Sequence, residues 1–157
     1  SPIKYPDANS TLRLSYGKVS ALPADSRNDA KNNYYTTLKG TVKKYVPNDP
    51  EFDLPKGLIE LYDKKDFGPY ADKEGHMPVN FLTNNDITGG NSGSPVLNGN
   101  GELIGLAFDG NIEAMAGDVI FDNKLQKTIN VDIRYVLFLI DKYSGAKHIV
   151  DEMTVIR

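Results

Sequence analysis

Residues 88–108 read TGGNSGSPVLNGNGELIGLAF, and no other stretch restricts the fold as much. Within nine residues, TGGNSGSPV, the chain places three glycines, two serines and a proline. Such backbone freedom suits either a glycine-rich turn between strands or a loop whose amides must be aimed. Asn98–Gly99 and Asn100–Gly101 come next. Each pair suits the positive φ angles of a tight hairpin, and apolar runs flank both. Ser92 therefore falls just ahead of a hairpin whose second strand covers about 102–108.

The rest of the chain alternates strand signals with two helical ones. STLRLSYGKV (10–19) places Leu12, Leu14 and Tyr16 at every second position, the period of a half-buried strand. YYTTLKGTVKKYV (34–46) reads as a strand pair or a bent strand with Gly40 at the bend. In DLPKGLIELYDKKDFGPY, Leu58, Leu61 and Tyr62 fall at helical spacing between Pro55 and Gly68–Pro69, which predicts a short helix near 55–65. HMPVNFLTNND (76–86) predicts a strand leading into the serine loop. DGNIEAMAGD (109–118) reads as loop, and VIFDNKLQKTINV (119–131) returns to strand character. Ile133, Val136, Leu137 and Ile140 form one apolar face after Asp132, and Gly145 supplies a stop. This predicts a C-terminal helix near 132–143. No repeat, low-complexity tract or linker interrupts the pattern, so residues 1–157 read as a single, mainly β domain.

Composition narrows the chemistry. The chain has no cysteine and only two histidines, His76 and His148. Thiolate sites and cysteine nucleophiles are excluded, no imidazole-rich metal site is expected, and no cofactor is implied. A net charge of −3, with both signs interspersed, gives no reason to expect nucleic acid or an anionic membrane as partner. No signal peptide, lipidation motif or apolar run long enough to span a bilayer is present, so membrane insertion is not expected. The chain opens SPIKYPD without methionine, as a mature product or an excised piece would.

A serine that transfers acyl groups needs a base for its proton and donors for the oxyanion of the tetrahedral intermediate. Backbone amides of a Gly-Asn-Ser-Gly loop can meet the second need. Gly90 can turn its N–H inward beside that of Ser92, and Gly93 permits close approach of a substrate backbone. GNSGSPV, a tight hairpin and LIGLAF together resemble the nucleophile loop of chymotrypsin-fold serine peptidases. YPDANSTLRLSYGKV, the segment from DFGPY to FDGN, and INVDIRYVLFLIDKYSGAKHIVDEM extend the likeness over nearly the whole chain. It resembles family S46, the dipeptidyl peptidases 7 and 11 of Gram-negative bacteria.

That resemblance implies a C-terminal part of a longer enzyme, its second β-barrel plus the terminal helix. Ser92 would be the nucleophile, and the Gly90 N–H, with that of Ser92, the oxyanion hole. Asp109 would hold the substrate's free α-amino group, and Gly110 would line the S1 pocket. A glycine there goes with bulky apolar P1 residues, as in dipeptidyl peptidase 7, and a basic side chain with acidic P1, as in dipeptidyl peptidase 11. The partners implied are peptides with a free N-terminus, and an N-terminal barrel and helical domain of the same polypeptide. A homodimer is an assembly open to the complete enzyme, and periplasm or cell surface is the expected location.

Three points stay open on the sequence. The catalytic His and Asp come from a first barrel in this topology, so the chain carries half a site and is expected to be inactive alone; His76 and His148 read as structural. Asp86, six residues before Ser92, would select basic P1 residues in a trypsin-like pocket. The favoured reading is that it binds nearby loop amides. The rivals are a glutamyl endopeptidase of V8 type, which shares the TGGNSGSPV string, and a catalytically silent barrel used as an interaction module.

Overall fold

The computed structural model describes residues 10, 12–23, 34–112 and 125–156. Five strands, β1 (Tyr35–Thr37), β2 (Pro78–Thr83), β3 (Ser94–Leu97), β4 (Leu103–Gly110) and β5 (Thr128–Asp132), form one sheet in the order β1-β2-β5-β4-β3. The expected mainly β fold with a few helices is therefore present. The helices are α1 (Leu38–Lys43), α2 (Lys56–Asp63), α3 (Ile133–Phe138) and α4 (Lys147–Asp151). The chain divides into two compact units, Ser1–Tyr35 with Asn80–Val131, and Thr36–Val79 with Asp132–Arg157.

The second unit holds the apolar core of Leu38, Leu58, Phe67, Tyr70, Met77, Leu137, Phe138 and Val150. Residues 38–43 are helical, not a bent strand. Leu38 and Val42 lie four apart, the spacing of one helix face. Leu38 is fully buried and Val42 packs against the core, so tertiary burial overrides the β-branched content of the segment. Burying a side chain the size of Leu38 or Phe138 stabilises by about 1.5–3 kcal/mol.

The helix expected near 55–65 forms directly after Pro55, whose carbonyl accepts the first helical bond, from the Leu58 amide (2.9 Å). Gly57, a poor helix former, sits where a Cβ would meet the Tyr143 ring at 3.3 Å. The C-terminal helix also forms as expected. The Asp132 side chain caps it by accepting from the Arg134 amide (2.9 Å). From Leu139 to Tyr143 the helix widens to π geometry, and Gly145 at φ +65° ends it. Phe138 packs edge-on against Phe67, with ring centroids 6.1 Å apart. Burial pushes the neighbouring Tyr135 phenol up. The hydrogen bond from Lys142 to Asp66 (2.9 Å) raises that ammonium.

The first unit is built differently. β2 and β5 pair antiparallel, with Phe81 opposite Asn130 and Thr83 opposite Thr128. Polar side chains fill much of its interior: Thr83, Gln126, Lys127, Thr128 and Asn130 are all buried. Asn130 Nδ2 donates to Thr83 Oγ1 (2.9 Å) and to the Phe81 carbonyl (3.2 Å). β3 and β4 form the expected antiparallel hairpin, with Ser94 opposite Ala107. Of the two Asn-Gly pairs, Asn100–Gly101 supplies the positive φ (Gly101, +80°), while the Asn98 side chain accepts from the amides of Asn100 and Glu102. β4 runs to Gly110, two residues further than expected, because Asn111 extends the interaction. Its amide donates to the Lys127 carbonyl (3.0 Å) and its Oδ1 accepts from the Lys127 amide (2.8 Å). The loop and strand expected over 113–124 lie outside the described residues. Gly105 admits β4 to its place: a Cβ there would lie 2.6 Å from the Val131 carbonyl and 2.7 Å from the Phe81 ring.

Candidate active site

The serine loop starts where β2 ends. Thr128 Oγ1 donates to the Asn85 carbonyl (2.7 Å), which fixes the exit from β2. Asp86 follows, half-buried, and its carbonyl accepts from Asn85 Nδ2 at 3.4 Å. The loop then folds about Asn91. Asn91 Oδ1 accepts from the Thr88 amide (2.9 Å) and the Thr88 hydroxyl (3.4 Å). The Asn91 amide donates to the Thr88 carbonyl (3.2 Å), and the Asn91 carbonyl accepts from the Ser94 amide (2.9 Å). Gly90 takes φ +91° and Gly93 φ +80°, backbone conformations that L side chains rarely adopt.

Ser92 stands exposed at the tip of this turn. Its hydroxyl donates to the Phe108 carbonyl of β4 at 3.3 Å. Beside it the Gly93 amide donates to the Ala107 carbonyl (2.7 Å), which clamps the loop to the same strand. Among the described residues the amides of Gly90 and Ser92 donate to no carbonyl or side chain. Asp109 and Gly110 follow Phe108 directly and end β4, the strand whose Phe108 carbonyl accepts from Ser92. Asp109 is exposed, and its Oδ1 accepts from the Gly110 amide (2.8 Å). That bond sets the direction of the carboxylate without covering it.

The two histidines belong to the other unit. His76 closes a turn in which Asp72 accepts from the amides of Glu74 (2.9 Å) and His76 (2.8 Å). Its ring Nδ1 lies 3.6 Å from Asp72 and 3.5 Å from Glu74. His148 is exposed on α4. Among the described residues no cluster of His, Asp and Glu could hold a metal ion, and no helix is long and apolar enough to cross a membrane.

Asn91 is the residue that sequence reasoning passed over. A signal was there: an Asn inside a Gly-rich turn commonly ties its side chain to amides a few residues away.

Comparison with known proteins gives the class of protein that carries this hairpin and loop. The chain belongs to the peptidase S46 family, whose profile matches residues 2–155. It is similar to a dipeptidyl-peptidase 7 of Capnocytophaga gingivalis, at 73% identity over 100% of this chain and 22% of the relative. An Asp/Glu-specific dipeptidyl-peptidase of the same organism is 54% identical over 98% of this chain and 21% of the relative. The crystal structure of Porphyromonas endodontalis DPP11 in complex with substrate superposes with a TM-score of 0.85 at 44% identity, covering 96% of this chain and 22% of that one. The chain thus spans little more than a fifth of the length of these relatives. The family match sets aside a V8-type glutamyl endopeptidase.

Asn91→Ala should remove the clip on Thr88 and cost about 0.5–1.5 kcal/mol, the net worth of a typical hydrogen bond. Asn91→Asp keeps the acceptor. Hydrogen exchange at the Thr88 amide should be fast in the first variant and protected in the second. Equal protection in both would mean that the backbone holds the turn without the side chain.

Proposed function

We propose that the protein to which this chain belongs is a serine-type dipeptidyl aminopeptidase, and that the chain supplies its nucleophile, oxyanion hole and S1 wall. The observation that carries this reading is the juxtaposition at the end of β4. The exposed Ser92 hydroxyl donates to the Phe108 carbonyl there, the Gly90 and Ser92 amides of its loop donate to nothing among the described residues, and the exposed Asp109 is the next residue of the strand.

Each part has a chemical task. Ser92 attacks the scissile carbonyl once a base takes its proton. The amides of Gly90 and Ser92 donate to the oxyanion that develops, and one such donor is worth about 2.7–4 kcal/mol of transition-state stabilisation. Asp109 faces the substrate ammonium, which fixes the reading frame from the peptide N-terminus. Gly110 leaves the S1 wall open, so an apolar P1 side chain fills the space and gains about 25 cal/mol per Å² of buried apolar surface.

The base and its orienting Asp belong, on this reading, to polypeptide outside the 157 residues. A preceding barrel supplies them, and a helical domain restricts the cleft to two residues. The present sheet is then part of the second barrel of a chymotrypsin-like pair. Periplasm or cell surface is the location that the family resemblance implies. The isolated chain has no turnover of its own.

Asp109 gives the first test, in the complete peptidase. A charge-assisted hydrogen bond contributes about 1.5–3 kcal/mol, so Asp109→Ala should lower kcat/KM for free-amine peptides by about ten- to a hundredfold. N-acetylated peptides should stay equally poor. Asp109→Asn keeps the acceptor for Gly110 but loses the charge, and should resemble Asp109→Ala. Equal losses on both peptide types, or full activity in Asp109→Asn, would make Asp109 a structural residue.

Gly110→Arg tests specificity. The arginine fills the pocket volume and presents a planar fork suited to a carboxylate. At about 4 Å and an effective dielectric near 20 the bare attraction is about 4 kcal/mol, much of it offset by desolvation. A net 1–2 kcal/mol moves preference from Leu or Phe toward Asp or Glu by about five- to thirtyfold. The check is kcat/KM on matched dipeptide substrates ending in Leu, Phe, Asp, Glu and Lys. A wild-type preference for Lys would point to Asp86 as the selecting residue instead.

A further inference from the structure

Two adjacent residues, Lys127 and Thr128, hold both the arm that leads to Ser92 and the arm that carries Asp109 and Gly110. They are 2% and 1% exposed. Thr128 Oγ1 donates to the Asn85 carbonyl (2.7 Å), on the way from β2 into the serine loop. Lys127 grips the other arm through its backbone. Its carbonyl accepts from the Asn111 amide (3.0 Å), and its amide donates to Asn111 Oδ1 (2.8 Å). Asn111 Nδ2 reaches on to the Leu125 carbonyl (2.7 Å). Asn111 directly follows Gly110, so three bonds fix the residue next to the Asp109–Gly110 pair.

These bonds begin where the sheet stops. The pairing of β2 with β5 ends at Thr83 opposite Thr128, and β4 ends at Gly110. Beyond both ends, the side chains of Thr128 and Asn111 carry the order one step further. Thr128 is itself braced, since its carbonyl accepts from Asn130 Nδ2 at 3.4 Å. The two arms thus share one buried origin, on residues whose Cα atoms stand about 3.8 Å apart. A short path of directional bonds between two groups leaves them little freedom to drift relative to one another.

We propose that Thr128 and Asn111 are positioning residues for the peptidase reaction, which together hold the Ser92 nucleophile and the Asp109 amine anchor in fixed register. Thr128 governs the nucleophile arm and Asn111 the substrate arm. An enzyme that releases dipeptides must keep that register, because the amine and the scissile carbonyl are the two ends of one dipeptide unit. Both roles rest on the reading of Ser92 as nucleophile and Asp109 as amine anchor.

Kinetics of the complete peptidase on a free-amine dipeptide substrate ending in Leu separate the two arms. Thr128→Val keeps the side-chain shape and removes the hydroxyl. It should lower kcat by about tenfold with KM little changed, because misplaced reacting groups slow the chemical step. Modification of Ser92 by a fluorophosphonate that carries no peptide should slow in proportion, and Thr128→Ser should restore both rates. Should Thr128→Val not fold, Thr128→Ala carries the same test, and the Asn111 arm is read independently. Asn111→Ala should show the opposite pattern, with KM raised by about tenfold, kcat held and the fluorophosphonate rate unchanged. If both variants lose kcat alike and slow the fluorophosphonate alike, the two residues merely support the sheet and the proposal is overturned. Wild-type kinetics in either variant would overturn it too. A wild-type enzyme that turns over while Ser92 takes no label would overturn the nucleophile reading itself, an outcome distinct from a labelled wild type whose variants show no split.

Discussion

Asn91 holds the site together. One side-chain oxygen takes the amide and hydroxyl of Thr88, and the backbone on either side closes two further bonds, to the Thr88 carbonyl and from the Ser94 amide. The bond from the Gly93 amide to the Ala107 carbonyl then fastens this turn to β4. A turn braced by these bonds and tied to a strand at one end can lift a hydroxyl into solvent without fraying. Gly90 and Gly93 take their positive φ angles within this turn. The role proposed for Ser92 depends on that geometry.

The unit that carries the site is unusual in what it buries. Thr83, Thr128 and Asn130 occupy interior positions on facing strands, where apolar side chains would serve packing alone. Directional bonds offer something packing does not: they fix backbone atoms. Thr128 holds the Asn85 carbonyl, and Asn130 holds the Phe81 carbonyl, both on the path from β2 into the serine loop. Burying such groups costs stability unless they are bonded, which favours a single arrangement over many. The apolar core of eight buried residues lies in the other unit, where helices rather than loops need support.

How much of this was legible in sequence follows from the range of each interaction. The helix near 55–65, the capped helix after Asp132 and the hairpin after Pro95 rest on local spacing and turn chemistry, and all three formed. Residues 38–43 misled because Thr and Val favour strands locally, while the burial of Leu38 is decided by residues distant in the chain. The half-buried strand expected over 10–19 does not form among the described residues: only Val19 bridges, to Thr83, and Leu12, Leu14 and Tyr16 stand exposed. The bonds that hold this segment, from Arg13 to Thr88 and from Asn85 to Ser15, reach about seventy residues along the chain, beyond any local pattern. The serine loop was legible because its glycines and serines are contiguous. Asn91 carries the local signal of an Asn in a Gly-rich turn, but its role as the clip on Thr88 is visible only once the turn is closed.

Labelling of the nucleophile tests the central claim most directly. The complete peptidase, treated with a fluorophosphonate, should lose activity in step with the appearance of a single covalent adduct. Peptide mapping should place that adduct on Ser92, with Ser94 two residues away unmodified. A modified residue elsewhere, with the Ser92 hydroxyl untouched in fully inactivated enzyme, would contradict the account.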